Sequence, residues 1–209
     1  MTPSQQRALD GLWPVYGLEP ADTADLDKAF GGRAPVTLEI GFGNGSALAT
    51  MAAATPDRHF LGIEVHRPGV GRLLRILDEQ GIGNVRVCCE DAVDVMRDHI
   101  ADGALASILL FFPDPWPKTR HHKRRILQPE FVGLAARKLA AGGCFHMATD
   151  WTPYAEQMLE VMEASADFRN LAGPRRYAER PAYRPPTRFE QRGRHLGHPV
   201  HDLVYARID

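Results

Sequence analysis

Three features of the 209-residue chain predict an α/β fold, a mostly parallel twisted sheet with helices on both faces. Apolar runs of strand length alternate with helix-period segments from residue 36 onward. A glycine-rich turn joins the first run to the first of these helical segments. Finally, 44% hydrophobic and 24% charged residues over this length is the balance of one ordinary globular domain.

In chain order, strands are expected at 36–41, 59–65, 85–90, 106–112, 144–149 and 199–208, with helices at 45–55, 68–80, 92–99, 127–140 and 152–165. The last two helices end at Gly142 and near Asp167. Residues 1–35 read as an N-terminal segment ahead of a catalytic sheet and helices at 36–209, the whole forming one domain over 1–209. The final strand is reached through the Arg/Pro-rich stretch 173–199 with no helix pattern before it, so an antiparallel C-terminal strand is expected to finish the sheet. That long connection is either a functional lid or a disordered loop.

The longest apolar run, around 108–112, is about eight residues, far short of the roughly 20 that span a bilayer. The polar start MTPSQQRALDG has no signal-peptide core, so a soluble, non-exported, cytoplasmic protein is expected. Cys88 and Cys89 are neighbours that cannot pair ordinarily, which leaves Cys144 without a framework. All three sit inside strand patterns and read as core in a reducing compartment.

A net charge of −1 conceals an uneven distribution: −7 over 1–117, +5 over 118–126, −4 over 127–167 and +5 over 168–209. If the fold brings the two basic stretches together, they form one positive surface for a polyanion; otherwise they are a solvated loop and an arginine-rich tail.

Glu39, Gly41, Gly43 and Gly45 stand at the turn after the first strand, where glycine lets the backbone bend tightly and approach a ligand. As a dinucleotide fingerprint the turn is imperfect, because Ser46 occupies the place of the third small residue. An acid two residues before Gly-x-Gly-x-Gly suits S-adenosylmethionine better, and a plain tight turn stays open. Glu64 ends the second strand where a carboxylate accepts both ribose hydroxyls, and Asp91 ends the third, facing an adenine edge. Each acid alone reads as a solvated strand end; three at successive strand ends point to one ligand.

The fourth strand exits into Phe111-Phe112-Pro113-Asp114-Pro115-Trp116-Pro117-Lys118, a stiff extended loop in which an acid and an indole are held by prolines. Asp114 has the chemistry to accept from a guanine Watson–Crick edge; Trp116 either packs on a base or fills the underside of the loop. Next come Arg120, His121, His122, Lys123, Arg124 and Arg125, with no acid to balance them, which reads as a phosphate-contact run or a solvated helix approach. His195, His198 and His201 recur every third residue, but Pro199 and the strand after it put them on different faces, so no metal site is expected.

QQRAL, LEIGFGNG, FLGIEVHRPGVGRLL, EDAVDV, FFPDPWPKTRHHKRR, ATDW and PPTRFEQRG run through nearly the whole chain. On these segments the sequence resembles the bacterial tRNA (guanine-N(7))-methyltransferase family, and FPDPWPKxRHxKRR is its most specific signature. The resemblance implies a single-domain Rossmann-like class I methyltransferase that uses S-adenosyl-L-methionine on the guanosine at position 46 of the tRNA variable loop. It also implies cofactor acids at Glu39, Glu64, Asp91 and Asp114, with Asp114 catalytic. Substrate-binding positions fall at Lys118, Asp150, Thr187, Arg188, Phe189 and Glu190, and RNA contacts along the basic run. Many family members carry a longer basic arm before QQRAL, which here lies almost directly after Met1.

Guanine N(7) is already a lone-pair nucleophile, so catalysis is expected to be positioning and electrostatics rather than proton abstraction. Two other classes share parts of the pattern. An NAD-dependent oxidoreductase would use the glycine turn and Glu64 but would also require a hydride-transfer acid, which nothing after Pro113 suggests. A non-catalytic RNA-binding module would use the basic stretches without the strand-end acids.

Overall fold

A computed structural model describes residues 1–186, 190 and 199–208. Its strands are β1 (Gly17–Leu18), β2 (Val36–Ile40), β3 (His59–Ile63), β4 (Val85–Cys88), β5 (Leu105–Phe111), β6 (Leu139–Thr149), β7 (Phe168–Asn170) and β8 (His201–Arg207). Its helices are α1 (Pro3–Tyr16), α2 (Leu26–Phe30), α3 (Ser46–Ala54), α4 (Arg67–Gln80), α5 (Ala92–Asp98), α6 (Pro129–Lys138) and α7 (Thr152–Glu163).

All eight strands join one sheet in the order β1-β4-β3-β2-β5-β6-β8-β7. Pairing is parallel from β1 to β6, and β8 runs antiparallel to both β6 and β7. The expected antiparallel C-terminal strand is therefore present, inserted between β6 and β7. From β2 the chain steps outward to β3 and β4, then returns to β5 on the other side of β2. That reversal opens a crevice beyond the carboxyl ends of β2 and β5, where ligands bind in doubly wound sheets.

Alternating side chains divide the core between the two faces. Leu38, Ile40, Ile108 and Leu110 pack with α5, α6 and α7 through Met96, Phe131 and Met158. Leu109 and Phe111 point the other way, into a cluster with Leu9 of α1, Leu48 of α3 and Leu73 and Leu74 of α4. None of the helices among the described residues is long and apolar enough to cross a membrane.

The sequence reading missed α1, α2, β1 and β7. Two- and three-residue strands are too short to show a period of two. In α1 an internal Pro14 masks a helix whose start is fixed by a capping box between Thr2 and Gln5 with Pro3 in its first turn. The expected helix end at Gly142 is also corrected: α6 stops at Lys138 and Gly142 lies within β6. There the register slips between Leu105↔Leu139 and Ser107↔Cys144, and Gly142 at φ 71° absorbs the extra residues. Of the cysteines only Cys88 is fully buried; Cys89 and Cys144 are half-buried, and all three are free.

Candidate active site

β2 ends in Glu39 and Ile40 and runs into a turn whose three glycines, Gly41, Gly43 and Gly45, have φ of 69°, 59° and 74°. Only glycine takes these left-handed values without strain. The turn is also pressed against α4: a Cβ on Gly69 would stand 2.0 Å from the Gly43 carbonyl oxygen, and one on Gly45 would stand 2.5 Å from Leu73. Backbone rather than side chains therefore faces the crevice. A hollow of about 540 Å³ opens there, lined by Glu39, Gly43, Asn44, Glu64, Asp114 and Pro186 among others. A second hollow of about 470 Å³ shares Gly41, Glu64, Phe111, Pro113 and Asp114 with it and extends to Asp91, Trp116 and Arg124. Together they make one cleft across the ends of β2, β3, β4 and β5.

The acids expected at the cofactor site converge here with different environments. Glu39 is 3% exposed and its Oε2 has no hydrogen-bond partner. Burial, and then the Glu64 charge, push its carboxyl up to about 8. A cationic donor in the first hollow would satisfy that oxygen and reverse the shift. Glu64 is held by backbone: Gly43 N–H donates to Oε2 (2.8 Å) and His66 N–H to Oε1 (2.9 Å). Asp91 caps α5, its Oδ1 accepting from the N–H groups of Val93 (2.8 Å) and Asp94 (3.3 Å). Asp114 is exposed at the rim common to both hollows.

The loop carrying Asp114 is strained on both sides, with Phe112 at φ 52° and Trp116 at φ 42°. Each such residue costs about 1–3 kcal/mol and persists only where its surroundings over-determine it. The Phe112 N–H donates to the Ala148 carbonyl (2.7 Å), and Arg125 Nε donates to the Pro115 carbonyl (2.8 Å). Arg125 also donates through Nη1 to Gln157 and lies 4.7 Å above the Tyr154 ring. It is 2% exposed, which corrects its expected role as an RNA contact: it presents no surface to a phosphate and instead ties the Asp114 loop to α7. Trp116 is half-buried between the edge of His121 and the Arg124 guanidinium 5.0 Å above its ring.

The rest of the basic run forms a 3₁₀ turn, Thr119–Arg124, with Arg120, Lys123 and Arg124 exposed and His121 and His122 half-buried. His122 and Lys123 share a shallow groove with Pro153, Glu156 and Glu160 of α7. At the first residue of α7, Thr152 hydrogen-bonds His201 (3.2 Å), whose ring lies 4.5 Å from the Tyr177 ring at a tilt of 46°. Glu156 and Glu160 thus place negative charge beside the basic turn, and Arg188, Arg192 and Arg194 of the second basic stretch lie outside the described residues.

Lys118 is exposed where the 3₁₀ turn begins, and Asp150 is half-buried just beyond β6, outside the residues lining the cleft. Glu190 is fully buried, its Oε2 accepting from Arg184 Nη1 at 2.7 Å. The expectations for Thr187, Arg188, Phe189, His195 and His198 lie outside the described residues. Among the described residues no three His, Cys, Asp or Glu side chains are grouped to hold a metal. Sequence reasoning missed Asn44, Pro185 and Pro186 as lining residues; the run Pro-Pro just before the basic motif was the available sign of a rigid wall.

Residues 33–203 match a family described as "Putative methyltransferase". The tRNA (guanine-N(7)-)-methyltransferase of Alkalilimnicola ehrlichii is 57% identical over 210 residues, covering 99% of this chain and 88% of that protein. The corresponding enzyme of Methylococcus capsulatus is 57% identical over 207 residues, covering 99% and 90%. Among solved structures, the 16S rRNA methyltransferase KamB superposes with a TM-score of 0.60 at 16% identity, over 89% of this chain and 94% of that one. A Streptococcus mutans chain in complex with SAH superposes with a TM-score of 0.54 at 10% identity, over 100% and 99%.

Proposed function

The chain belongs to the tRNA (guanine-N(7)-)-methyltransferase family, and from that premise we propose how its residues carry out the transfer. It is an S-adenosylmethionine-dependent enzyme that methylates guanine N(7) in tRNA. The cofactor supplies a methyl group on a sulfonium sulfur that a lone pair can displace.

Glu39 takes the cofactor's amino group: it is the one acid of the four whose oxygen is both buried and unpartnered. Glu64 takes the ribose hydroxyls, each carboxylate oxygen keeping a second lone pair beyond its backbone bond. The backbone of Gly41, Gly43 and Gly45 admits the ligand closely, and Asp91 meets the adenine edge with the oxygen not used to cap α5.

Guanine N(7) carries no proton, so no general base is required. Asp114 orients the base by accepting from its ring N–H and exocyclic amine and favours the positive charge that develops on it. Prolines on both sides and the Arg125 anchor hold this carboxylate in advance, which is where the rate gain arises. Arg120, His121, His122, Lys123 and Arg124 meet the tRNA backbone, with Lys118, Asp150 and the stretch Thr187, Arg188, Phe189 and Glu190 completing substrate binding as the resemblance implies. The acceptor is guanosine 46 of the variable loop, the enzyme works in the cytoplasm where tRNA is, residues 1–209 act as one unit, and no metal takes part.

The observation that carries this reading is Asp114, held by a strained loop at the rim common to both hollows. Incubation with methyl-labelled S-adenosylmethionine and unmodified tRNA, followed by nuclease digestion and mass spectrometry, is expected to place the label on guanine N(7) at position 46. Label on another base, or none, contradicts it.

A further inference from the structure

Where the β7–β8 connection crosses β6 and β8, it meets the sheet through buried polar groups that the transfer reaction leaves unused. Arg184 is 1% exposed and grips Asp202 of β8 with two hydrogen bonds, Nε to Oδ1 (2.6 Å) and Nη2 to Oδ2 (2.9 Å). Its third nitrogen, Nη1, donates to Glu190 (2.7 Å). His146 of β6 is fully buried and bonds Asp202 Oδ1 through Nε2 (2.8 Å), while the Tyr183 hydroxyl meets its Nδ1 (2.8 Å). Arg180 adds a second cation to Glu190 at 3.4 Å.

Such a cluster is a poor source of stability, because desolvating the charges offsets their attraction and apolar side chains would pack as well. What it does provide is a fixed path for the chain. Arg184 directly precedes Pro185 and Pro186, which line the first hollow, and two prolines leave little freedom between the anchor and that wall. Glu190 marks the far end of the stretch that the family resemblance assigns to substrate. The same guanidinium lies 5.9 and 5.8 Å from the ring centres of Phe111 and Phe112, which lead into the Asp114 loop. One buried cation therefore lies behind both the Pro185–Pro186 wall and the start of the Asp114 loop.

We infer that Arg184 is a positioning residue for methyl transfer: anchored on Asp202, which His146 also holds, it keeps Glu190 and the Pro185–Pro186 wall in register with the loop that carries Asp114. The inference rests on the transferase reading of the cleft.

The test is a double-mutant cycle on the full chain, with single-turnover rate, KM for tRNA, S-adenosylmethionine affinity and melting temperature measured for each variant. Arg184→Lys keeps the charge but cannot reach both carboxylates. Measured well below its melting temperature, it is expected to bind S-adenosylmethionine within about twofold of wild type and to lose roughly 10- to 100-fold in single-turnover rate, the cost of slight misplacement. Glu190→Gln is expected to lose a similar factor, and the combined variant to be no worse than the poorer single one. A wild-type rate in Arg184→Lys, or losses that multiply in the combined variant, overturns the inference. Should Arg184→Lys not fold, the near-isosteric Asp202→Asn with Glu190→Gln completes the same cycle, with the same two outcomes deciding. Wild type serves as control: failure to label guanine N(7) in tRNA would sink the functional reading, whereas a labelling wild type with unaffected variants sinks only the clamp.

Discussion

Along β2 and β3 the cleft is lined by backbone, with three glycines in left-handed conformation, a helix pressed against them and a carboxylate, Glu64, held by two N–H groups of neighbouring turns. Along β6 and β8 it is backed by side chains: Arg184, Asp202 and His146, from three separate parts of the chain, close on one another in the interior. The first arrangement follows from local geometry and accepts a ligand that brings its own charge. The second fixes a wall by long-range ion pairing and exposes almost none of the groups that do so. Asp114 lies where the two meet, tied to the second region by Phe112 N–H on the Ala148 carbonyl and to α7 by Arg125.

Breaking the meeting point is expected to have the largest effect. Asp114→Asn keeps the shape but removes the charge, and turnover should fall by about 2–4 kcal/mol of transition-state stabilisation, comparable with the loss of one preorganised electrostatic group. Single-turnover kinetics at saturating substrates measure it; a rate within twofold of wild type contradicts the role.

On the backbone-lined side, Glu64→Ala should weaken S-adenosylmethionine binding by about 1.5–3 kcal/mol, the scale of charge-assisted hydrogen bonds. Calorimetry showing unchanged affinity would remove Glu64 from the site.

Glu39 sharpens the comparison through pH. Burial raises its carboxyl from 4.5 to about 8, so the folded chain holds this proton more tightly than the unfolded one. Its contribution to stability is then complete below about pH 4.5 and is lost as pH climbs towards 8. Unliganded Glu39→Gln, which has no charge to bury, should gain melting temperature relative to wild type across that window. Pairing with the cofactor's amino group should also drive the proton off, so calorimetry at pH 7 in buffers of different ionisation heat is expected to register proton release in wild type and none in Glu39→Gln. Equal release in both proteins contradicts the assignment.

The smallest effect per residue is expected on the basic run, and it separates Arg125 from its neighbours. Lys123→Ala with Arg124→Ala should reduce the log–log salt slope of tRNA binding by up to about 0.9 per lost phosphate contact and leave the melting temperature unchanged. Arg125→Met should do the reverse, lowering the melting temperature because the Pro115 carbonyl and Gln157 lose their buried donor. Matching behaviour of the two variants would return Arg125 to the RNA surface.

The difference between the two regions also sets how far each could be read from sequence. The glycine turn, Glu64 at the end of β3 and the proline-framed Asp114 were legible because spacing along the chain decides where they stand. Arg125 was misread because the basic residues of 120–125 look alike in sequence, and only contact with Tyr154 and Gln157, about 30 positions away, turns one inward. His146 and Asp202 read as ordinary strand residues, since their pairing is set by the antiparallel register of β6 with β8, which no local pattern encodes.

Whether Asp114 orients guanine and stabilises charge without taking a proton is read from the pH profile of the single-turnover rate. With tRNA and S-adenosylmethionine saturating, orientation without proton transfer makes no step depend on a base, so the wild-type rate is expected to stay nearly flat from about pH 6.5 to 8.5. A limb inside that window that is present in wild type and lost in Asp114→Asn would make Asp114 an obligatory base and contradict the account.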